Sequence, residues 1–186
     1  RDCLLSRGLG DVYKRQNVQL PMWIAAGDED KHDWARLRLA QARAASALQP
    51  GGLAILLDCG EFDNIHPTDK RTPGERLCDV ALRVVYGMDA PESPRALGKY
   101  TQGDTLVVTL SAPVLRRETG ELLLEIAGED GAYHPVQSVT LDGAEMRLRS
   151  VAVLHPTKVR YAYVNWGKVS LFGRNGLPLA PFAFEG

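Results

Sequence analysis

The sequence predicts an α/β unit, the C-terminal part of a doubly wound parallel sheet, followed by an antiparallel β-domain of sandwich type. A continuous apolar run of strand length, residues 53–58, lies between two stretches of helical periodicity. Uninterrupted apolar strands are typical of parallel sheets that are covered on both faces. Beyond a proline-containing stretch, residues 89–95, strand-like runs separated by turn dipeptides replace the helical patterns.

The composition is that of an ordinary globular protein. Of 186 residues, 45% are hydrophobic and 24% are charged, which is enough apolar material for a packed core. The net charge is −1, with both signs scattered along the chain, which argues against nucleic acid or an anionic membrane as the main partner. No apolar run reaches the roughly 20 residues that span a bilayer.

The three cysteines, Cys3, Cys59 and Cys78, have no metal-binding spacing and are too few for a disulfide framework. We expect Cys59 and Cys78 to be small core residues.

The first 16 residues differ in character from the rest of the chain. Residues 1–16 have no sustained period of 2 or 3.6, and they resemble a translated sequencing adapter at the end of a metagenomic reading frame. We expect this segment to be non-native and disordered, with the natural N-terminus upstream. It has neither the apolar region nor the cleavage site of a signal peptide.

The α/β unit is predicted to occupy residues 17–88. A short strand, residues 17–20, precedes an acidic loop, and Asp33 is expected to cap a helix over residues 34–49. Arg36, Arg38 and Arg43 are expected to face water or to extend toward it. The expected buried stripe of this helix consists of Trp34, Leu37, Ala40, Ala44 and Leu48.

A second helix follows the buried strand and a loop over residues 59–71. Thr72, Pro73 and Glu75 form a capping box with proline at the first helical position, and Gly87 is the expected C-terminal cap. Its expected apolar face consists of Leu77, Val80, Ala81, Val84 and Val85.

The β-domain is predicted to occupy residues 97–186, after a linker over residues 89–96. Turns are predicted at three dipeptides: Asp130-Gly131, Asp142-Gly143 and Asn175-Gly176. The predicted strands are residues 105–111, 121–127, 136–141, 145–154 and 159–165.

The loop after the buried strand carries the strongest chemical signal. It places Asp63 and His66 three residues apart at the carboxyl end of that strand, where open α/β sheets hold their active sites. His66 would act as general base toward a serine hydroxyl, and Asp63 would fix its tautomer and stabilise the imidazolium. In the alternative interpretation, Asp63 caps a turn and His66 precedes Pro67 for backbone reasons. Spacing alone leaves both open.

Several runs of sequence resemble the sialate O-acetylesterase family of the SGNH hydrolases. The runs are residues 63–70, with Asp63 and His66 as the family's Asp-x-x-His block; residues 74–77 and 81–87; the Trp34, Leu37, Arg38 and Gln41 pattern; and, in the β-domain, residues 125–131, 156–162, 175–178 and 181–182. The resemblance covers residues 17–186 in order. The chain departs from the family pattern at Tyr163, at residues 171–173 and at residues 182–185.

This resemblance implies a serine esterase that removes O-acetyl groups from sialic acids or related sugars, with xylan as another possible substrate of such enzymes. It implies no metal, no cofactor, and a secreted or periplasmic location. The family's Gly-Gln-Ser-Asn nucleophile motif is absent from these 186 residues. The chain is therefore expected to be a C-terminal fragment, inactive alone and poorly soluble, because missing strands would leave an edge and apolar faces open. The sequence leaves the oligomeric state open.

The competing class is a non-catalytic carbohydrate-binding or interaction protein whose β-domain carries the function. Trp166, with Tyr161 and Tyr163, could form a platform for sugar rings, although the alternation of the tyrosines favours an ordinary strand face. Arg160 could reach a sugar carboxylate, although a structural ion pair is favoured. His32, in an acidic run, suggests either a metal ligand or, with more support, a hydrated charged surface.

Overall fold

The computed structural model describes residues 15–48 and 51–185, with only the backbone described at Arg15. The helices in this part of the chain are α1, Asp33–Ala47, and α2, Arg71–Val84. The strands are β1 Arg15–Val18, β2 Gly51–Ala54, β3 Ala96–Gln102, β4 Thr105–Leu110, β5 Val114–Arg116, β6 Leu124–Ala127, β7 His134–Pro135, β8 Ser138–Asp142, β9 Glu145–Arg149, β10 Lys158–Tyr161, β11 Leu171–Gly173 and β12 Phe182–Phe184. Neither described helix is long and apolar enough to cross a membrane.

The N-terminal part consists of a parallel pair of strands and two helices. β1 and β2 pair in parallel, and both helices contact them. Residues 15 and 16 lie in β1, so the expectation of disorder over residues 1–16 is wrong for these two; residues 1–14 lie outside the described part of the chain.

The predicted strand over residues 53–58 pairs only as far as Ala54, because β2 occupies Gly51–Ala54. Residues 55–57 leave the ladder and nevertheless remain buried. Ile55 and Leu57 pack into the apolar cluster formed by the β-domain, which explains why the apolar run continues beyond the strand.

The predicted buried face of α1 is wrong. Leu37 and Leu48 are exposed, and the fully buried positions of the helix are Ala35, Arg38 and Ala45. The helix is rotated because Arg38, expected to face water, is directed inward to backbone carbonyls of the β-domain. The helix also begins one residue earlier than predicted, so that His32, with a φ of 60°, occupies the N-cap position expected for Asp33.

The start of α2 also differs from the prediction. The helix begins at Arg71, and the cap acceptor is the Asp69 carboxylate, which accepts from the amides of Arg71 and Thr72 at 3.0 and 3.1 Å. Hydrogen bonds to Thr72 are the main cause that lowers the pKa of Asp69. The C-cap of the helix is Val85, two residues before the predicted Gly87. Gly87 has the expected left-handed conformation, with a φ of 63°, and the Met88 amide after it donates to the Leu82 carbonyl at 3.0 Å.

The C-terminal part is antiparallel, as predicted. Two four-stranded sheets, β3-β4-β9-β8 and β12-β10-β6-β7, are accompanied by a β5-β11 pair. Strands of both larger sheets contribute to one apolar core, for example Met146 and Val159, each 0% exposed. This arrangement fits a sandwich. The three predicted turn dipeptides are confirmed, since each glycine has a positive φ.

The strand predictions in this part were incomplete. They found β4, β6, β8, β9 and β10 with errors at the ends, whereas β3, β5, β7, β11 and β12 were not predicted. The core also includes Met22, Ile55 and Leu57 from the N-terminal part, so apolar packing runs continuously across the predicted linker. The division at residues 17–88, 89–96 and 97–186 stays a prediction.

Candidate functional site

The loop that carries Asp63 and His66 is held where it leaves the buried segment. Arg76 of α2 donates to both carboxylate oxygens of Asp58, at 2.6 and 2.8 Å, and to the Ile55 carbonyl at 2.6 Å. Burial disfavours the charged guanidinium, but the hydrogen bonds and charge of Asp58 outweigh it, so the pKa of Arg76 is raised. Arg76 belongs to the run that carries the family resemblance, and its observed contacts are structural.

Gly60 allows the loop to lie close to the segment of residues 22–26, which follows β1. A Cβ at this position would lie 1.9 Å from the Met22 carbonyl oxygen, so only glycine fits without movement of the backbone. Close to this contact, the Asp63 amide donates to the Ile24 carbonyl at 3.1 Å, and the Ala26 amide donates to Asp63 Oδ1 at 2.8 Å. Two hydrogen bonds to residues 24–26 therefore fix Asp63, whose φ is 58°.

Glu61 organises the turn on the other side of Asp63. Its Oε1 accepts from the amide and the hydroxyl of Thr68, at 2.7 and 2.6 Å, and its Oε2 accepts from Asn64 Nδ2 at 2.6 Å. These bonds lower the pKa of Glu61, with the hydroxyl of Thr68 as the largest cause. Asn64 in turn accepts from the His66 amide at 3.0 Å. The backbone on both sides of His66 is thereby fixed.

The structure places Asp63 and His66 on one short loop without joining their side chains. Both residues are exposed, and within residues 15–48 and 51–185 no hydrogen bond or ion pair links the carboxylate to the imidazole. The carboxylate instead receives the Ala26 amide, a contact of the turn-capping kind considered in the alternative interpretation. The assignment of the pair to catalysis stays a prediction.

Two clefts flank this loop. One, of about 250 Å³, is lined by both parts of the molecule: Leu57, Asp58, Gly60, Arg117, Thr119, Gly120, Trp166, Gly167, Lys168, Val169 and Phe172. The other, of about 410 Å³, is lined by Trp23, Ile24, Gly27, Asp28, Glu29, Lys31, Asp33, Trp34 and Asn165. We call the first the Trp166 cleft. Phe62, next to Asp63, meets the Trp166 ring edge-on with centroids 5.7 Å apart, so the loop borders that cleft.

The Trp34, Arg38 and Gln41 pattern has a structural explanation that sequence reasoning missed. Trp34 Nε1 donates to the Pro21 carbonyl at 2.7 Å, and Gln41 Oε1 accepts from the Leu20 amide at 2.9 Å. Arg38 donates to the carbonyls of Ala162, at 3.1 Å, and Val164. Spacings of four and three residues place these side chains on one helix face. That face attaches α1 to residues 20 and 21, which follow β1, and to the β-domain.

Asn165 makes the same connection from the β-domain. Its Oδ1 accepts from the Trp34 amide at 2.9 Å, its carbonyl accepts from the Trp23 amide at 2.8 Å, and its own amide donates to Asp30 at 2.8 Å. A side-chain acceptor distant in sequence thus satisfies an amide in the first turn of α1. No local capping signal could have revealed it.

Other residues considered from sequence have ordinary structural partners. Arg160 forms the favoured ion pair, with its Nε 2.7 Å from Glu125 Oε2, and its guanidinium stacks on Tyr133 and Tyr163. His32 Nδ1 lies 3.2 Å from Asp30 Oδ1. Within the described residues no group of three or more His, Cys, Asp or Glu side chains could hold a metal ion.

The expectations for tyrosine and cysteine were correct only in part. Tyr161 is fully buried, so it cannot contribute to an exposed sugar platform, whereas Trp166 lines a cleft. Cys59 is half-buried; burial, followed by the Asp58 charge, raises the pKa of its thiol to about 12, which excludes a reactive thiolate at neutral pH. Cys78 is exposed, contrary to the core position expected for it.

Comparison with known proteins gives an informative match among solved structures. No protein-family model and no curated protein matches the chain. Among solved structures, a carbohydrate acetylesterase from Xanthomonas citri is similar, with a TM-score of 0.82 and 32% sequence identity. The similarity covers 91% of this chain, which spans 40% of the acetylesterase. Nearly all of this chain thus shares its fold, at appreciable sequence identity, with two fifths of a carbohydrate acetylesterase.

Proposed function

We propose that this chain belongs to a serine-type carbohydrate acetylesterase and supplies its general base, His66, and the acid partner of that base, Asp63. The observation that carries the proposal is the similarity to a carbohydrate acetylesterase over 91% of the chain. The loop supplies the groups for this chemistry. The carboxylate of Asp63 and the imidazole of His66 lie on the loop that follows a buried segment, and hydrogen bonds of Glu61 and Asn64 fix the backbone of that loop.

The reaction would proceed in two halves. His66 takes the proton from a serine hydroxyl as the serine oxygen attacks the acetyl carbonyl carbon, and it returns that proton to the departing sugar oxygen. A water then attacks the acetyl-serine, His66 again accepts and returns a proton, and acetate leaves. Asp63 stabilises the imidazolium in both halves. The serine and the donors for the oxyanion would come from a segment of the protein outside these 186 residues.

In this proposal the two carboxylate oxygens of Asp63 have different tasks. Oδ1 is occupied by the Ala26 amide at 2.8 Å, which orients the carboxylate from the protein side. Oδ2 is the oxygen that remains for the imidazole. The proposal therefore requires the exposed ring of His66 to turn toward Oδ2 when the serine-bearing segment packs against the loop.

The sugar is the less defined part of the proposal. The family resemblance favours O-acetylated sialic acids, and a neutral acetylated sugar is the alternative. The Xanthomonas citri protein is a carbohydrate acetylesterase, a class that names no particular sugar. We propose the acetyl ester of a sugar hydroxyl as the substrate class. Steady-state kinetics with acetylated sialic acid and with an acetylated neutral sugar would distinguish the two.

Covalent labelling of the activated serine tests the catalytic assignment. A fluorophosphonate probe is applied to the chain alone, to the reading frame extended upstream, and to the extended protein carrying His66→Ala. The matched control is His155→Ala, because His155 is an exposed histidine of the β-domain. Intact-mass spectrometry should show one adduct on the extended protein and its His155→Ala variant, and none on the other two. An adduct that survives His66→Ala, or one on a serine within residues 17–186, would contradict the proposal.

The competing proposal, a non-catalytic sugar-binding β-domain, has one supporting observation, the Trp166 cleft. It makes the opposite prediction: the extended protein would remain unlabelled, and sugar binding would be indifferent to His66→Ala.

A further inference from the structure

The Trp166 cleft is built jointly by the loop segment and the β-domain. Residues 57–60 form one wall, and residues 117–120 together with residues 166–172 form the other. Its volume of about 250 Å³ lies below the roughly 300–1,000 Å³ of pockets for drug-sized ligands, so one sugar ring fits better than an oligosaccharide.

Of the two aromatic rings that line the cleft, Trp166 is partly exposed and Phe172 is covered. Phe172 is buried, and the Arg117 guanidinium covers its ring at 3.4 Å from the centroid, so this ring is not available to a ligand. Trp166 is half-buried and has Phe62, 53% exposed, at its edge. A partly exposed indole at the side of a cleft is a suitable surface for the apolar C–H face of a sugar.

The polar lining of the cleft consists mainly of hydrogen-bond donors. Arg117 and Lys168 are exposed cations at its margin, and the Arg117 backbone is fixed by its amide, which donates to the Ser170 carbonyl at 2.8 Å. The one carboxylate, Asp58, is engaged by Arg76 through two hydrogen bonds. The cleft therefore offers N–H donors to a ligand rich in acceptor oxygens.

We propose that the Trp166 cleft binds one pyranose ring of the saccharide, with its C–H face on Trp166 and its oxygens accepting hydrogen bonds from Arg117 and Lys168. The β-domain thereby takes part in substrate binding. This inference rests on the proposed function, since it places part of the acetylated saccharide beside Phe62, the residue that precedes Asp63 in the loop. The same chemistry serves a neutral and a carboxylated ring, which the test distinguishes.

Titration of the ¹⁵N-labelled protein extended upstream with sugars tests the proposal directly. The indole N–H signal of Trp166 is assigned by substitution, and methyl glucoside, glucuronic acid and the open-chain sorbitol are added in turn. The two ring compounds should move the Trp166 signal with dissociation constants on the order of 1–10 mM, while sorbitol, which has no ring face, should not. Tighter binding of glucuronic acid would identify a carboxylated ring as the preferred ligand.

Substitutions separate binding in the cleft from general effects on the fold. Trp166→Ala should abolish ring binding, and Arg117→Ala and Lys168→Ala should each weaken it by roughly three- to tenfold, a change of about 1 kcal/mol. Arg116→Ala is the matched control, because Arg116 is exposed on β5 and does not line the cleft. If Trp166→Ala unfolds the chain, the two cation variants carry the test.

The outcomes separate this inference from the proposed catalysis. If Trp166 remains unmoved by both ring compounds at about 100 mM, far above the expected dissociation constants, the inference is wrong even if the extended protein reacts with the serine probe. Equal weakening by Arg116→Ala and Arg117→Ala would also overturn it. Ring binding at Trp166 in a protein that resists the probe would support the inference and contradict the catalytic proposal.

Discussion

Arg76 and Asp58 form a two-pronged ion pair, with guanidinium nitrogens 2.6 and 2.8 Å from the two carboxylate oxygens, at the point where the buried segment becomes the Asp63–His66 loop. The Arg76 side chain is only 9% exposed, against 23% for Asp58. Because the pair joins α2 to the start of the loop, the position of the candidate site depends on it.

Loss of this pair should destabilise the protein. Arg76→Ala leaves Asp58 and the Ile55 carbonyl without their donor, and we expect a loss of about 2 kcal/mol in unfolding free energy, less than for a fully buried pair. Urea denaturation measures it. The control is Arg71→Ala, which removes an exposed ion pair on the same helix and should leave the midpoint unchanged. Equal losses in both variants would contradict the structural role of Arg76.

Substitution by alanine should change the stability in opposite directions at two glycines, Gly60 in the loop and Gly74 in α2. Gly60→Ala places a methyl group 1.9 Å from the Met22 carbonyl, and we expect a loss of at least about 2 kcal/mol. Gly74 lies inside α2 with no atom within 4 Å of an added Cβ, so Gly74→Ala should stabilise by about 0.5–1 kcal/mol. Thermal unfolding of both variants measures the difference. A tolerated Gly60→Ala would show that the loop lies elsewhere.

Arg38 should be required for the attachment of α1. It is fully buried, and desolvation lowers its pKa to about 10, with the Asp30 charge opposing the shift. Arg38→Ala removes the donor to the Ala162 and Val164 carbonyls and leaves a cavity, so we expect a loss of roughly 2–4 kcal/mol. Amide hydrogen exchange should then become faster in α1 to a greater extent than in β4. Arg43→Ala, on the exposed side, should change neither quantity.

The two described cysteines should differ in reactivity. Burial, followed by the Asp58 charge, raises the pKa of Cys59 from 9.0 to about 12. At pH 8 we expect iodoacetamide to modify exposed Cys78 at least about ten times faster than Cys59 in the folded chain. After denaturation, the two cysteines should be modified at similar rates. Peptide mass spectrometry measures both, and equal rates in the folded chain would contradict the buried position of Cys59.

The same thiol predicts a direction for stability at alkaline pH. Since the unfolded thiol loses its proton first, the contribution of Cys59 to stability is present in full below pH 9.0 and falls as the pH rises toward about 12. Cys59→Ser should flatten that part of the pH profile.

The sequence was sufficient where a signal is local. Gly87 and the three turn glycines have left-handed backbone conformations that other residues adopt poorly, and the structure has these conformations as predicted. The order of buried segment, loop and helix around Asp63 and His66 also follows from local patterns. The cap of α2 shows the limit: Asp69 and Thr72 are both suitable capping residues, and which of them caps the helix depends on the residue at which the loop ends and the helix begins.

Features that depend on distant contacts could not be predicted. β11 and β12 are three residues long and find their partners in β5 and β10, far away in sequence. Arg38 is read from sequence as a surface residue because its acceptors are backbone carbonyls, which carry no side-chain signal. For the same reason the Asp63–Ala26 contact and the Trp166 cleft became visible only in three dimensions.

The central claim is that His66 activates a serine supplied by another segment of the protein. Its most direct measurement is kcat/KM for an acetylated sugar in the protein extended upstream, compared between His66→Ala and His155→Ala. We predict a fall of roughly 10³-fold or more for His66→Ala, the scale on which removal of a general base acts in serine hydrolases, and no change for His155→Ala. Retention of activity within about tenfold by His66→Ala, a difference of 1.4 kcal/mol, would contradict it.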